Sequence, residues 1–190
     1  MIPDWNISGL IPPIRPDQPG HSPERSPYRI GLMDIVNKFS ETPERRNILS
    51  GLLRYRQSLH NLGMIEGFQW LDGSFMENVE MTQNRHPNDI DVVTFFMLPD
   101  GVDQEILVAN NIDLFNQEYV KEIFKVDAYF VEIGQESDHL HVRQISYWYS
   151  MWSHTRQEKW KGFLEIDLSP IEDAEALAFL HAITNEGGVV

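Results

Sequence analysis

Cysteine is missing from all 190 residues, so neither a disulfide nor a thiolate metal site is available to this chain. Long apolar runs are missing as well. Nothing approaches the roughly 18 uninterrupted apolar residues of a membrane span. The first residues, MIPDWNISGLIPPIRPDQPG, lack the basic start and apolar stretch of a secretion signal. These absences lead to the expectation of a cytoplasmic protein with no membrane partner. Positive charge is scarce: 15 Lys and Arg stand against 29 Asp and Glu, a formal net charge of -14. Proteins hold nucleic acid largely by neutralising phosphates, so this balance argues against a long nucleic acid as partner. A nucleotide carried with a divalent cation remains compatible, because the cation inverts the local charge logic.

Proline is rare after residue 29; most of the eleven prolines lie before it. Residues 1–29 therefore read as a proline-rich arm, either laid on the domain or partly disordered. Trp5, Ile7, Leu10 and Ile11 give it something to dock with. Residues 30–190 read as a single domain, a length that supports one core. Thr42-Pro43-Glu44 opens a helix with a cap, a first-turn proline and an acid at the positive end. Ile48, Leu49, Leu52, Leu53, Leu59 and Leu62 make one apolar stripe, and Gly63 stops it. Strands are expected at Phe68–Leu71, Ile90–Leu98, Val126–Ile133 and Gly162–Leu168. Helical stretches fall at about 103–124 and 139–153, and a last helix starts near Pro170. The class is α+β, a mixed β-sheet with helices packed against it.

The segment LDGSFMENVEMTQNRHPNDIDVVTFF carries the chemistry. Asp89 and Asp91 are two apart on an expected strand, so their carboxylates share a face. Two neighbouring carboxylates repel unless a cation lies between them, and hard oxygen donors suit Mg²⁺ or Mn²⁺. Asp-x-Asp alone is also what a strand leaving a polar turn looks like. Gly73-Ser74 follows a strand and precedes a short helix, so backbone N–H groups and the hydroxyl can face an anion. A plain strand-to-helix turn would have the same composition.

In that order, a Gly-Ser turn and then Asp-Ile-Asp-Val, the chain resembles the nucleotidyltransferase superfamily of DNA polymerase β. The phrase WLDGSFMEN…HPNDIDVV is also similar to small bacterial proteins assigned to that superfamily, which share a proline-containing arm and a Lys-Gly strand matched here by Lys161-Gly162. The resemblance implies a nucleotidyltransferase-like fold and a third carboxylate on a later strand, for which Asp127 in VDAYFVEI is the match and Glu165 the reserve. It implies Mg²⁺ or Mn²⁺ held by Asp89, Asp91 and Asp127, two ions in all, with Asp127 also accepting a proton. Gly73 and Ser74 would bind the nucleotide phosphates. The implied reaction moves a nucleoside monophosphate from a nucleoside triphosphate to a hydroxyl of a protein or small molecule. Some small members serve in toxin–antitoxin systems, where they adenylylate a toxin. Two features depart from the pattern: the 14-residue loop from Ser74 to Asp89 is long, and the turn has no arginine beside it.

Several residues carry a plainer reading beside a functional one. His139 and His141 lack the i,i+4 spacing of a helical zinc site, and His154 stands apart. No Gly-x-Ser-x-Gly surrounds Ser74, so a covalent serine has no support. Tyr147, Trp148, Tyr149, Trp152 and Trp160 read as a helix packed on the sheet with an exposed aromatic edge. Arg143, Arg156, Lys159 and Lys161 either reach a triphosphate or balance nearby acids. The last helix, IEDAEALAFLHAI, reads as amphipathic with a solvated acidic start. The rival to catalysis is a silent nucleotidyltransferase-fold protein that binds and regulates a partner protein. Modification of an RNA 3′ end is a third option, against which the net charge counts.

Overall fold

The computed structural model describes residues 1–134, 136 and 138–186. Its five strands are β1 (Tyr28–Arg29), β2 (Gly67–Asp72), β3 (Ile90–Met97), β4 (Val126–Ile133) and β5 (Leu164–Asp167), in one sheet of order β1-β5-β2-β3-β4. β1 runs parallel to β5 and β3 parallel to β4, while β2 is antiparallel to both of its neighbours. The sheet is therefore mixed, and the class is α+β. The helices are α1 (Leu32–Phe39), α2 (Pro43–Asn61), α3 (Val79–Gln83), α4 (Gln104–Asn110), α5 (Ile112–Phe115), α6 (Gln117–Phe124), α7 (His139–Trp152) and α8 (Asp173–Glu186). None of them is long and apolar enough to cross a membrane, among the described residues.

β3 is buried on both faces, which explains its near-continuous apolar sequence. Ile90, Val92 and Phe96 join the larger core with residues of α1, α2 and α8. Val93 and Phe95 point the other way, into a smaller cluster with Trp70, Phe163 and the α7 residues Trp148 and Trp152. Trp152 meets Phe163 edge to face at 5.9 Å, a geometry that adds to plain burial. Tyr147 and Trp160 stay exposed, so the aromatic stretch divides between packing and surface.

α2 begins as its sequence dictates, with the Thr42 side chain accepting from the Arg45 backbone N–H. Two of its arginines are buried and spread as forks. Arg56 Nε and Nη2 donate to Asp173 at 2.7 and 2.8 Å, and Nη1 donates to Gln69 Oε1 at 2.7 Å. Arg45 donates to Glu80 at 2.7 and 2.8 Å, and to the carbonyls of Phe75 at 2.6 Å and Glu77 at 2.7 Å. A buried guanidinium is tolerable only when its donors are met in this way. Arg45 thereby ties the loop after β2 to the core.

The arm lies on the domain. Ile2, Leu10 and Ile11 are buried, whereas Ile7 is 97% exposed and docks nowhere. Trp5 Nε1 donates to the Met76 carbonyl at 2.8 Å, and Gly162 N–H donates to the Ile11 carbonyl at 2.7 Å. The expected helix over 103–124 is three helices, broken at Asn111 and Asn116. The Asn116 side chain accepts from the Tyr119 backbone N–H, starting a new helix instead of continuing the old. The acidic start before α8 is only partly solvated: Asp173 meets Arg56, and Glu172 caps α1 by accepting from Leu32 N and, at 3.4 Å, from Met33 N.

Candidate active site

β2 ends where β3 and β4 begin, and the register at that end sets three acids abreast. Asp72 on β2 is opposite Asp91 on β3, and Asp91 is beside Asp127 on β4. In-register residues on neighbouring strands share a face, here the face that α7 covers. Asp89 immediately precedes β3. All four acids line one cavity of about 760 Å³, together with Gly73, Ser74, Glu77, Lys121, Tyr129 and Lys161. The α7 C-terminus and the segment after it, including His154 and Arg156, also line it. Glu165, the reserve acid, sits on β5 opposite Trp70 and accepts from its indole at 3.1 Å, outside this group.

The turn is shaped by one glycine. Gly73 has φ +83, and a Cβ there would lie 2.8 Å from the Asp91 carboxylate. Only glycine accepts that backbone and lets it press against the acid. Ser74 then opens a single 3₁₀ turn, Ser74–Met76. In so short a turn the first N–H groups have no partner within it.

Two lysines pair with four of the five carboxylates that line the cavity. Lys161 is buried, with Nζ 2.8 Å from Asp72 and 3.3 Å from Glu77. Burial pushes Asp72 up to about 7 against the pull of the Lys161 ammonium, with Asp91 adding to the rise. Lys161 is held above the ordinary lysine value: burial opposes its charge, but the neighbouring carboxylates outweigh it. On the other side, Lys121 Nζ lies 2.8 Å from Asp89 Oδ2 and 2.9 Å from Asp127 Oδ2. Gln117, one turn earlier on α6, donates to Asp127 Oδ1. Burial works to raise Asp127, yet the bonds from Lys121 and Gln117 hold it below the usual range.

Asp91 is different. Among the described residues it forms no ion pair. Burial pushes it up to about 6, and the charges of Asp89 and Asp127 add to that rise.

A model of the family of unknown function DUF6932 matches residues 3–167. The chain belongs to that family. The DUF6932 span takes in the arm, all five strands and every acid of the cavity, and leaves α8 outside. No curated protein and no solved structure matches the chain.

Sequence reading had named Gly73, Ser74, Asp89, Asp91 and Asp127, and the fold brings all five to one DUF6932 cavity. It had not named Asp72 or Lys121, and it left Lys161 undecided between phosphate and acid. Lys161 is committed to acids. No arginine stands beside the turn in sequence; Arg85 and Arg156 line the cavity, whereas Arg143 and Lys159 are exposed outside it. The donor set is all oxygen, which suits a hard divalent cation. Even so, among the described residues no three His, Asp or Glu side chains stand grouped ready to ligate one. The place between Asp89 and Asp127 is filled by an ammonium.

Proposed function

We propose that this chain is a nucleotidyltransferase-like enzyme that moves a nucleoside monophosphate from a nucleoside triphosphate to a hydroxyl of a protein or small molecule. The observation that carries the reading is the row of acids: Asp91 and Asp127 abreast on parallel strands, Asp89 beside them, and Gly73 folded against Asp91. Asp89, Asp91 and Asp127 are the residues that would hold Mg²⁺ or Mn²⁺. Such a cation supplies neutralisation of phosphate charge and a lowered pKa for the attacking hydroxyl. The chain's own contribution is positioning. Gly73 and Ser74 line the cavity where phosphate oxygens would sit, and Arg85 and Arg156, which also line it, can meet the remaining charge. Both Asp127 oxygens are engaged, one by Gln117 and one by Lys121. Proton acceptance at Asp127 Oδ2 therefore requires Lys121 to yield.

Incubating the full chain with Mg²⁺ or Mn²⁺ and each α-labelled triphosphate, with cell lysate as the source of acceptor, tests this. Label transferred to a protein or small molecule, and lost in Asp91→Asn, is the expected result. No transfer from any triphosphate would remove the proposal.

The Lys121 bridge favours a second reading, a silent protein of the same fold that binds and regulates a partner. In that case Asp91→Asn would keep full biological effect on the partner.

A further inference from the structure

The Lys121 side chain is 47% exposed, but the helix that carries it is fixed. That helix is α6, whose Val120 and Phe124 are buried. The C-terminal end of α6 is pinned against α2: a Cβ on Gly51 would come within 1.8 Å of the Phe124 carbonyl. Lys125 then turns left-handed and leads directly into β4. Gln117 and Lys121, four apart and so on one helix face, both reach Asp127. The fold thus presents a positive charge between Asp89 and Asp127 from a fixed helix.

The charges are as telling as the geometry. Apart from Asp72 and Glu77, which Lys161 contacts, ionised Asp89, Asp91 and Asp127 carry three negative charges, and Lys121 leaves two, which one divalent cation balances. The free donors point the same way. Both Asp127 oxygens and Asp89 Oδ2 are occupied. Among the described residues, the Asp91 carboxylate and Asp89 Oδ1 have no such partner. We propose that Lys121 is a built-in cation in the place of a second metal ion, so that the site takes one divalent ion, at Asp91 and Asp89, and not two. This rests on the metal-dependent reading above and narrows it. Lys121 is a positioning residue, acting through the two aspartates it holds.

The test counts Mn²⁺ bound to the full chain from the electron paramagnetic resonance signal of the free ion, with circular dichroism to check the fold of each variant. Wild type should bind one ion. Lys121→Met should bind two, because the vacated position between Asp89 and Asp127 accepts an ion. Lys121→Arg, which keeps the charge, should stay at one and serves if the methionine variant fails to fold. In parallel, amine acetylation read by mass spectrometry should modify Lys121 equally with and without Mn²⁺, because the bound ion leaves the lysine where it is. Two ions in wild type, or Lys121 made reactive by Mn²⁺, would overturn the inference. One ion in both wild type and Lys121→Met would overturn it too. Binding only in Lys121→Met would make the lysine a plug that keeps metal out, which is equally fatal. No binding in any form would sink the metal-dependent reading itself.

Discussion

Replacing Asp91 by Asn should stabilise the metal-free protein, and the size of the effect follows from its surroundings. Burial, reinforced by the Asp89 and Asp127 charges, lifts its carboxyl from 3.8 to about 6. At about 1.4 kcal/mol per pH unit, that interval corresponds to about 3 kcal/mol of disfavoured ionisation at pH 7.5. The carboxylate opens on the cavity, and screening there lowers the expectation to about 1–2 kcal/mol. For a chain of this length each kcal/mol moves Tm by about 2–4 °C, so a rise of roughly 2–8 °C is expected. The pH dependence has a definite sign. A raised folded value means that wild type keeps its proton while the unfolded chain gives it up, so wild-type stability falls as pH rises from 3.8 to about 6 and stays low above. The advantage of the Asn variant should therefore be full above pH 7 and vanish near pH 4. Circular dichroism melts from pH 4 to 8, in chelator, measure this. Adding Mn²⁺ at pH 7.5 should stabilise wild type and not the variant. A variant less stable than wild type at pH 7.5, or a gain of the same size at pH 4, would refute the account of Asp91 as a carboxylate held without an ion-pair partner.

Gly73→Ala should cost about 1–3 kcal/mol in urea denaturation, because it combines a strained positive φ with a methyl 2.8 Å from the Asp91 carboxylate. It should also weaken Mn²⁺ binding; an unchanged denaturation midpoint would show the turn to be soft. Lys161→Met leaves the buried Asp72 without its cation and should destabilise by about 3–5 kcal/mol. Lys161→Met combined with Asp72→Asn should recover much of that loss, and a double variant no better than the single would mean that Lys161 acts by packing alone.

The parts of the fold that were legible beforehand are those whose causes are local. The Ile90–Met97 strand announces itself by unbroken apolar sequence, and the Val126–Ile133 strand is bounded by a left-handed Lys125 and by Gly134. The start of α2 is written in Thr42-Pro43-Glu44. By contrast α1 has Gly31 at its cap position and no side chain of its own to meet its first N–H groups. Its cap is Glu172, 140 residues later, and no reading of LMDIVNKF could supply that. The same distinction holds at the site. Gly73, Ser74, Asp89 and Asp91 could be named from spacing, and Asp127 from resemblance. Asp72 becomes a member only through the β2–β3 register, which the long loop between the strands leaves open in the sequence. In QEYVKEIF, Lys121 has the composition of a solvated helix face. That it reaches past the left-handed Lys125 to Asp127 is a matter of tertiary geometry.

The two readings of the cavity differ in what they ask of Asp91. A protein that serves only as a docking surface gains nothing from a carboxylate lifted to about 6 and left without an ion-pair partner. It could place an amide there, keep the hydrogen-bonding capacity and recover about 1–2 kcal/mol of the disfavoured ionisation. Three other buried charges among the described residues are answered: Arg45 has Glu80, Arg56 has Asp173, and Lys161 has Asp72. Asp91, by contrast, has no ion-pair partner among the described residues, and it lines the cavity together with Gly73, Ser74, Arg85 and Arg156. An acid without an ion-pair partner in such a place fits the proposed role of a cation ligand. That supports the catalytic reading over the silent one on grounds independent of resemblance. It also commits the catalytic reading to an outcome: if Asp91→Asn neither raises the metal-free Tm nor abolishes the Mn²⁺ response, the contrast disappears, and with it the physical reason to prefer an enzyme.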